Sequence, residues 1–153
     1  MGHIPPLSAL GWSVRLPSQR ERFWSKIPIV GLLVEAPLSG RRFEESGEMI
    51  RSQLVTRGGD FNPTVWGGTS RRQELARHVC QSLAKAIGWP HANFLPEDPF
   101  VMLCWPHQDG LDDLDFKFRL EGYLKRDISR EEFDSFLDMS LGQVVDRLLE
   151  KAL

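Results

Sequence analysis

The sequence predicts a mostly helical protein, with a four-helix bundle over residues 70–153 and a helical or irregular extension over residues 1–69 packed on it. Three observations carry this expectation. Leu75, Val79, Leu83 and Ile87 recur every fourth residue, the spacing that stacks side chains on one helical face. The stretch 109–129, DGLDDLDFKFRLEGYLKRDIS, reads as one helix with apolar residues on two opposite sides. Leu141, Val144, Val145, Leu148 and Leu149 form a last apolar face behind Ser140.

At 153 residues the chain suffices for one domain with a real core, or for a small bundle plus an extension. A composition of 41% hydrophobic and 26% charged residues, with a formal net charge of −2, is that of an ordinary globular protein. The charge is unevenly spread. Residues 1–72 carry ten Lys/Arg against six Asp/Glu, and residues 73–153 carry nine against fifteen. A basic front half and an acidic rear half attract one another. Cys80 and Cys104 show no paired spacing, and no basic region with a long apolar stretch opens the chain, so a reducing cytoplasm is the expected compartment. The longest apolar run, Ile27 to Val34, is too short to cross a bilayer.

In chain order, residues 1–17 are punctuated by Pro5, Pro6, Gly11 and Pro17 and read as an irregular arm whose Leu7, Leu10 and Trp12 can dock. Ser18 caps a short helix that Pro28 stops. Residues 27–37, IPIVGLLVEAP, are short, β-branched and bounded by proline, which suits a buried strand, with a helix as the alternative. Arg41 to Thr56 reads as a helix ended by Gly58-Gly59, with Phe43, Met49, Ile50 and Leu54 as its apolar positions. A turn-rich linker, DFNPTVWGG, follows, anchored by Phe61 and Trp66.

Ser70 is the expected cap of the next helix, with Gln73 returning the bond as a capping box. That helix ends at Gly88-Trp89-Pro90. In the loop beyond it, Phe94 and Phe100 are expected inside and Asp98-Pro99 in a turn. The stretch VMLCWPHQ leads to Asp109, a good N-cap, with Asp112, Asp113 and Asp115 at the positive end of the helix and Lys125 and Arg126 at the negative end. Leu111, Leu114 and Phe118 share one side of this central helix; Phe116, Leu120, Tyr123 and Leu124 share the other. Gly122 costs about 1 kcal/mol relative to alanine. Arg130–Phe133 is a short acidic helical turn, and Ser140 caps the closing helix.

On these residues the chain resembles the acyl carrier proteins over roughly Ser70 to Leu153. Asp109-Gly110-Leu111-Asp112 is similar to the Asp-Ser-Leu-Asp that opens that family's second helix, Leu120 through Ile128 continues like that helix's end and the following loop, and Asp98-Pro99-Phe100 matches an Asp-x-Phe of its first loop. The resemblance implies a four-helix bundle. It also places glycine where the family carries the serine that bears the phosphopantetheine arm. Gly110 has no hydroxyl, so no cofactor is expected. In carriers the positions matching Leu111, Leu114 and Phe118, ringed by those matching Asp109, Asp112, Asp115 and Glu121, meet partner enzymes. The expected function is therefore non-enzymatic protein interaction or scaffolding by a carrier-like module without its arm. The expected partner is a protein with a basic, partly apolar surface, or the chain's own first 69 residues, with no nucleic acid and no membrane.

Two other readings stand beside this one. A working carrier could be modified at another serine, Ser129 or Ser140, although neither matches the motif. A cysteine-dependent enzyme could use Cys104 and His107, since such chemistry needs a thiolate and a nearby base, but adjacency in sequence is not that geometry. His3, His78, His91 and His107 with two cysteines offer no metal-ligand spacing. The arginines at 41, 42, 51, 57, 71 and 72 are interrupted by Glu44, Glu45 and Glu48 and fall short of a nucleic-acid footprint. Attraction to the acidic bundle explains them as well. The tryptophans read as core anchors rather than a stacking platform.

Overall fold

The computed structural model describes residues 4–7, 47–104 and 112–152. The expected helix from Ser18, the strand over 27–37, the start of the helix at Arg41 and the cap at Asp109 lie outside the described residues. Among the described residues the chain is helical: α1 (47–57), a 3-10 turn Pro63–Val65, α2 Ser70–Ile87, α3 Phe100–Cys104, α4 Asp112–Leu124, α5 Arg130–Phe136 and α6 Leu141–Glu150.

The long helix α2 is the central post, packed against α3, α4 and α6. Its Leu75, Val79, Leu83 and Ile87 are buried, as the four-residue repeat requires. The cap differs from the expected one. Thr69, not Ser70, holds the extended conformation and accepts the Arg72 N–H at 3.2 Å, while Ser70 is already the first helical residue. The capping box with Gln73 therefore does not form; the Gln73 N–H bonds to the Thr69 carbonyl instead. At the far end Gly88 takes φ 83°, and the N–H groups of Gly88 and Trp89 both return to the Ala84 carbonyl. Only glycine enters that left-handed cap without steric cost.

Helix α4 turns Phe116 and Leu120, both fully buried, toward α2. They join Val145 and Leu148 of α6 in one core, with Leu124 at its edge. Burying each such side chain contributes roughly 1.5–3 kcal/mol. Tyr123 departs from the expected inner face: it is 39% exposed and stacks on His78 with ring centroids 3.9 Å apart. The helix also stops sooner than the stretch 109–129 suggests. Lys125 adopts φ 54°, and the Glu121 carboxylate accepts the Ile128 N–H at 2.8 Å, so the chain folds back and buries Ile128. That tether and the burial of Ile128 offset the cost of about 1–2 kcal/mol for a non-glycine left-handed residue.

Ser129 caps α5, which runs on to Phe136, beyond the single turn expected. Phe100, Phe116, Phe133 and Phe136 pack as an aromatic group with centroid separations from 5.7 Å (Phe100–Phe116) to 6.2 Å (Phe116–Phe133). Ser140 caps α6 in a full capping box with Gln143. The start of α6 is bonded across to the long loop through Leu141 N–H to Asp98 O, Gly142 N–H to Pro96 O and Phe100 N–H to Met139 O, at 2.8, 2.8 and 3.0 Å.

Front-half residues share this core. Leu7, Ile50 and Leu54 are fully buried in the same cluster as Leu75 and Leu83. Phe61 and Trp66 stack with centroids 6.1 Å apart and anchor the linker as expected. The polar seam lies at Asp98, whose carboxylate is fully buried. It accepts from both terminal nitrogens of Arg57 at 2.6 and 2.8 Å, from the Leu95 N–H at 2.8 Å and from the Leu7 N–H at 2.8 Å. Arg57 also donates to the carbonyls of Pro5 and Asn93. One carboxylate thus joins residues 4–7, α1 and the α2–α3 loop, and the turn spans Leu95 to Asp98 rather than starting at Asp98-Pro99.

Candidate interaction site on α4

The outer side of α4 is built by the same periodicity that buries its inner side. Leu114 and Phe118 project one turn apart, 46% and 63% exposed, opposite Phe116 and Leu120. Single exposed apolar residues are ordinary; two large ones in one row on a short helix are the kind of surface that proteins use. Asp109 and Leu111, expected on this face, and Gly110, expected at its head, lie outside the described residues. Asp112 is half-buried in the first turn, where its charge complements the helix dipole.

The acidic ring expected around the stripe is in large part already neutralised. Asp115 accepts from Arg119 Nε at 2.8 Å, one turn on. Glu121 lies 3.5 Å from Lys117 Nζ and also accepts the Ile128 N–H. The face is therefore an apolar row bordered by two i,i+4 ion pairs, each carrying both signs. Reading the sequence for acids alone missed Lys117 and Arg119, although their four-residue spacing from Glu121 and Asp115 was the available signal. Gly122, noted from the sequence only for its cost within the helix, is exposed next to Phe118; a Cβ built there meets no atom within 4 Å.

No protein-family model, curated protein or solved structure matches the chain.

The other candidate groups take part in packing, helix capping and hydrogen bonds where they are described. Cys104 is buried, and desolvation with the nearby Asp113 charge pushes its thiol well above the ordinary value, the opposite of what a nucleophile needs. Cys80 is raised in the same sense by burial and by Asp98. His107 lies outside the described residues. The hydroxyls of Ser129 and Ser140 accept backbone N–H bonds from Glu132 and Gln143 as helix caps. His78 is half-buried between Tyr123 and Ser82, and desolvation lowers its pKa.

The arginines weighed as a basic surface are engaged within the chain. Arg57 pairs with Asp98, Arg72 with Asp146 at 2.6 Å, Arg51 donates to Gly88 O and lies over Trp89, and Arg71 donates to Ala152 O. Arg41 and Arg42 lie outside the described residues. Trp66 and Trp89 are buried, as core anchors should be; the Trp89 indole donates to Leu103 O at 2.9 Å. Among the described residues no three His, Cys, Asp or Glu side chains group as metal ligands, and no helix is long and apolar enough to cross a membrane.

Proposed function

We propose that this chain is a non-enzymatic interaction module of acyl-carrier-like design, lacking a prosthetic arm, that docks a partner protein on the outer face of α4. The observation that carries the reading is the exposure of Leu114 and Phe118 in one row on the helix whose other side is the core. The sequence of a long helix, a loop, a two-faced helix, a short helix and a capped closing helix supports the carrier-like design. Gly110 in the serine position supports the loss of the arm. Neither Ser129 nor Ser140 stands in an Asp-Ser-Leu-Asp setting, which weighs against modification at either. The buried, neutral Cys104 weighs against thiol chemistry.

Two experiments test the reading. The double variant Leu114→Asp, Phe118→Asp should fold with stability close to wild type, because both side chains are exposed, and should lose the partner that the intact chain retains on purification from its native cell. Retention of the same partner by the variant overturns the assignment of the face. Incubation with a phosphopantetheinyl transferase should leave the wild-type mass unchanged; an added arm on any serine overturns the loss of carrier function. Gain of the arm by Gly110→Ser supports the register directly.

A further inference from the structure

We propose that the α4 face takes a second copy of this chain, docked antiparallel about a two-fold axis at Phe118. The proposal rests on the docking reading above and names its occupant. Leu114, Phe118 and Gly122 are spaced by four and form one ridge of α4. Two of its members are large and exposed, and beside the third lies open space. Glycine is the poorest helix former after proline. Among the described residues nothing crowds Gly122, which is helical. One use for a missing side chain is the close approach of another backbone. Reversing a copy of α4 about Phe118 sets each Leu114 in the same layer as the other copy's Gly122, the large side chain beside the gap.

The borders of the face fit the same arrangement. Asp115 and Arg119 lie along one edge and Lys117 and Glu121 along the other. The first pair is centred one residue before Phe118 and the second one residue after it. Reversal about Phe118 brings Asp115 of one copy within about 3 Å, along the helix axis, of the level of the other copy's Arg119. Lys117 and Glu121 meet in the same way on the opposite edge. The helix dipoles then oppose, and the three first-turn acids of each copy stand apart instead of gathering at one end. A parallel copy gathers those acids and sets Gly122 against Gly122. The interface is small: α4 has 13 residues, about 20 Å of helix, and one such pair falls below the ~1,200 Å² of a standard interface. The dimer is therefore weak and reversible, and it forms as chain concentration rises.

The test is sedimentation of the full chain up to millimolar concentration, with circular dichroism and thermal melts to show that each variant folds. Wild type should pass from monomer to dimer. Asp115→Lys and Arg119→Glu each set like charges across the axis and should weaken association roughly tenfold or more. An equimolar mixture of the two variants should dimerise again, because each then presents the charge that the other needs. A parallel or unrelated contact gives no such rescue, so singles that weaken without rescue in the mixture overturn the antiparallel pairing. A wild-type chain that stays monomeric throughout overturns self-docking altogether. If that monomeric chain still loses a different protein partner through Phe118→Asp, the self-pairing fails while the docking face stands. If no association of either kind depends on Phe118, both fail.

Discussion

Asp98→Asn keeps the shape of the side chain at the polar seam and removes its charge. Asp98 and the Arg57 side chain are 0% and 1% exposed, so the guanidinium left behind is a buried cation without its carboxylate. The amide retains one acceptor oxygen for four former donors, the two Arg57 nitrogens and the N–H groups of Leu7 and Leu95. Breaking a buried pair from one side costs about 3–5 kcal/mol, and each orphaned backbone donor adds about 1–3 kcal/mol to the gross penalty, part of which local rearrangement recovers. A net loss of about 4 kcal/mol follows. With a urea dependence of about 2 kcal/mol per molar, the unfolding midpoint should fall by about 2 M. Amide exchange supplies the second reading: protection at Leu7 and Leu95 should drop in the variant before that of α2. A loss under about 1 kcal/mol, or unchanged protection at both amides, refutes the assignment of Asp98 as the anchor of the seam.

Further outcomes follow from the packing and the caps. Leu120→Ala removes a fully buried side chain facing α2 and should cost roughly 2–5 kcal/mol in denaturant unfolding; less than about 1 kcal/mol means the faces of α4 are reversed. Ser140→Ala breaks the capping box of α6 and should cost about 1 kcal/mol, visible as a lower melting temperature, whereas Ser70→Ala, one residue past the Thr69 cap, should be nearly neutral. Glu132 bonds Arg126 and approaches Lys151, and the Arg126 hydrogen bond is the main cause of its lowered pKa. A carboxyl lowered in the folded chain stabilises above its unfolded pKa and loses that contribution as pH falls through its folded pKa. The stability gap between wild type and Glu132→Gln should therefore be full at neutral pH and close in acid; a gap independent of pH across that range contradicts the pairing.

What could be read from the sequence was local. The four-residue repeat of α2, the opposed faces of α4 around Phe116 and Leu120, and the Ser140 cap depend on neighbours within a turn, and each appears in the structure. Where competing local signals were close, the choice slipped by a residue, as with Thr69 against Ser70. Tyr123 sits at the border of the buried sector, and its ring found His78 on the neighbouring helix instead of the core. The end of α4 was hidden because Lys125 carries no sign of a left-handed turn; the reason for it is Glu121 reaching Ile128. Helix α3 was illegible because all five of its residues are buried, so no polar face marks a period. At the site, the exposed row was legible from Leu114 and Phe118, and the neutralised border was legible too, in the four-residue spacing of Lys117 from Glu121 and of Arg119 from Asp115.

The seam at Asp98 also bears on the order in which the chain assembles. Leu7 and Asp98 are 91 residues apart, so at a synthesis rate of about 5–20 residues per second the donor waits roughly 5–20 s for its acceptor to be made. Closing a loop of that length carries an entropic cost of about 4 kcal/mol, which local contacts in α2 or α6 do not face. The helices that need only near neighbours are therefore formed when the residues around Leu7 arrive, and the bond across the seam is among the last to close. During that interval the Leu7 N–H lacks the acceptor it has in the folded chain. The tie between residues 4–7 and the rest of the fold is thus completed only once the loop around Asp98 has been made.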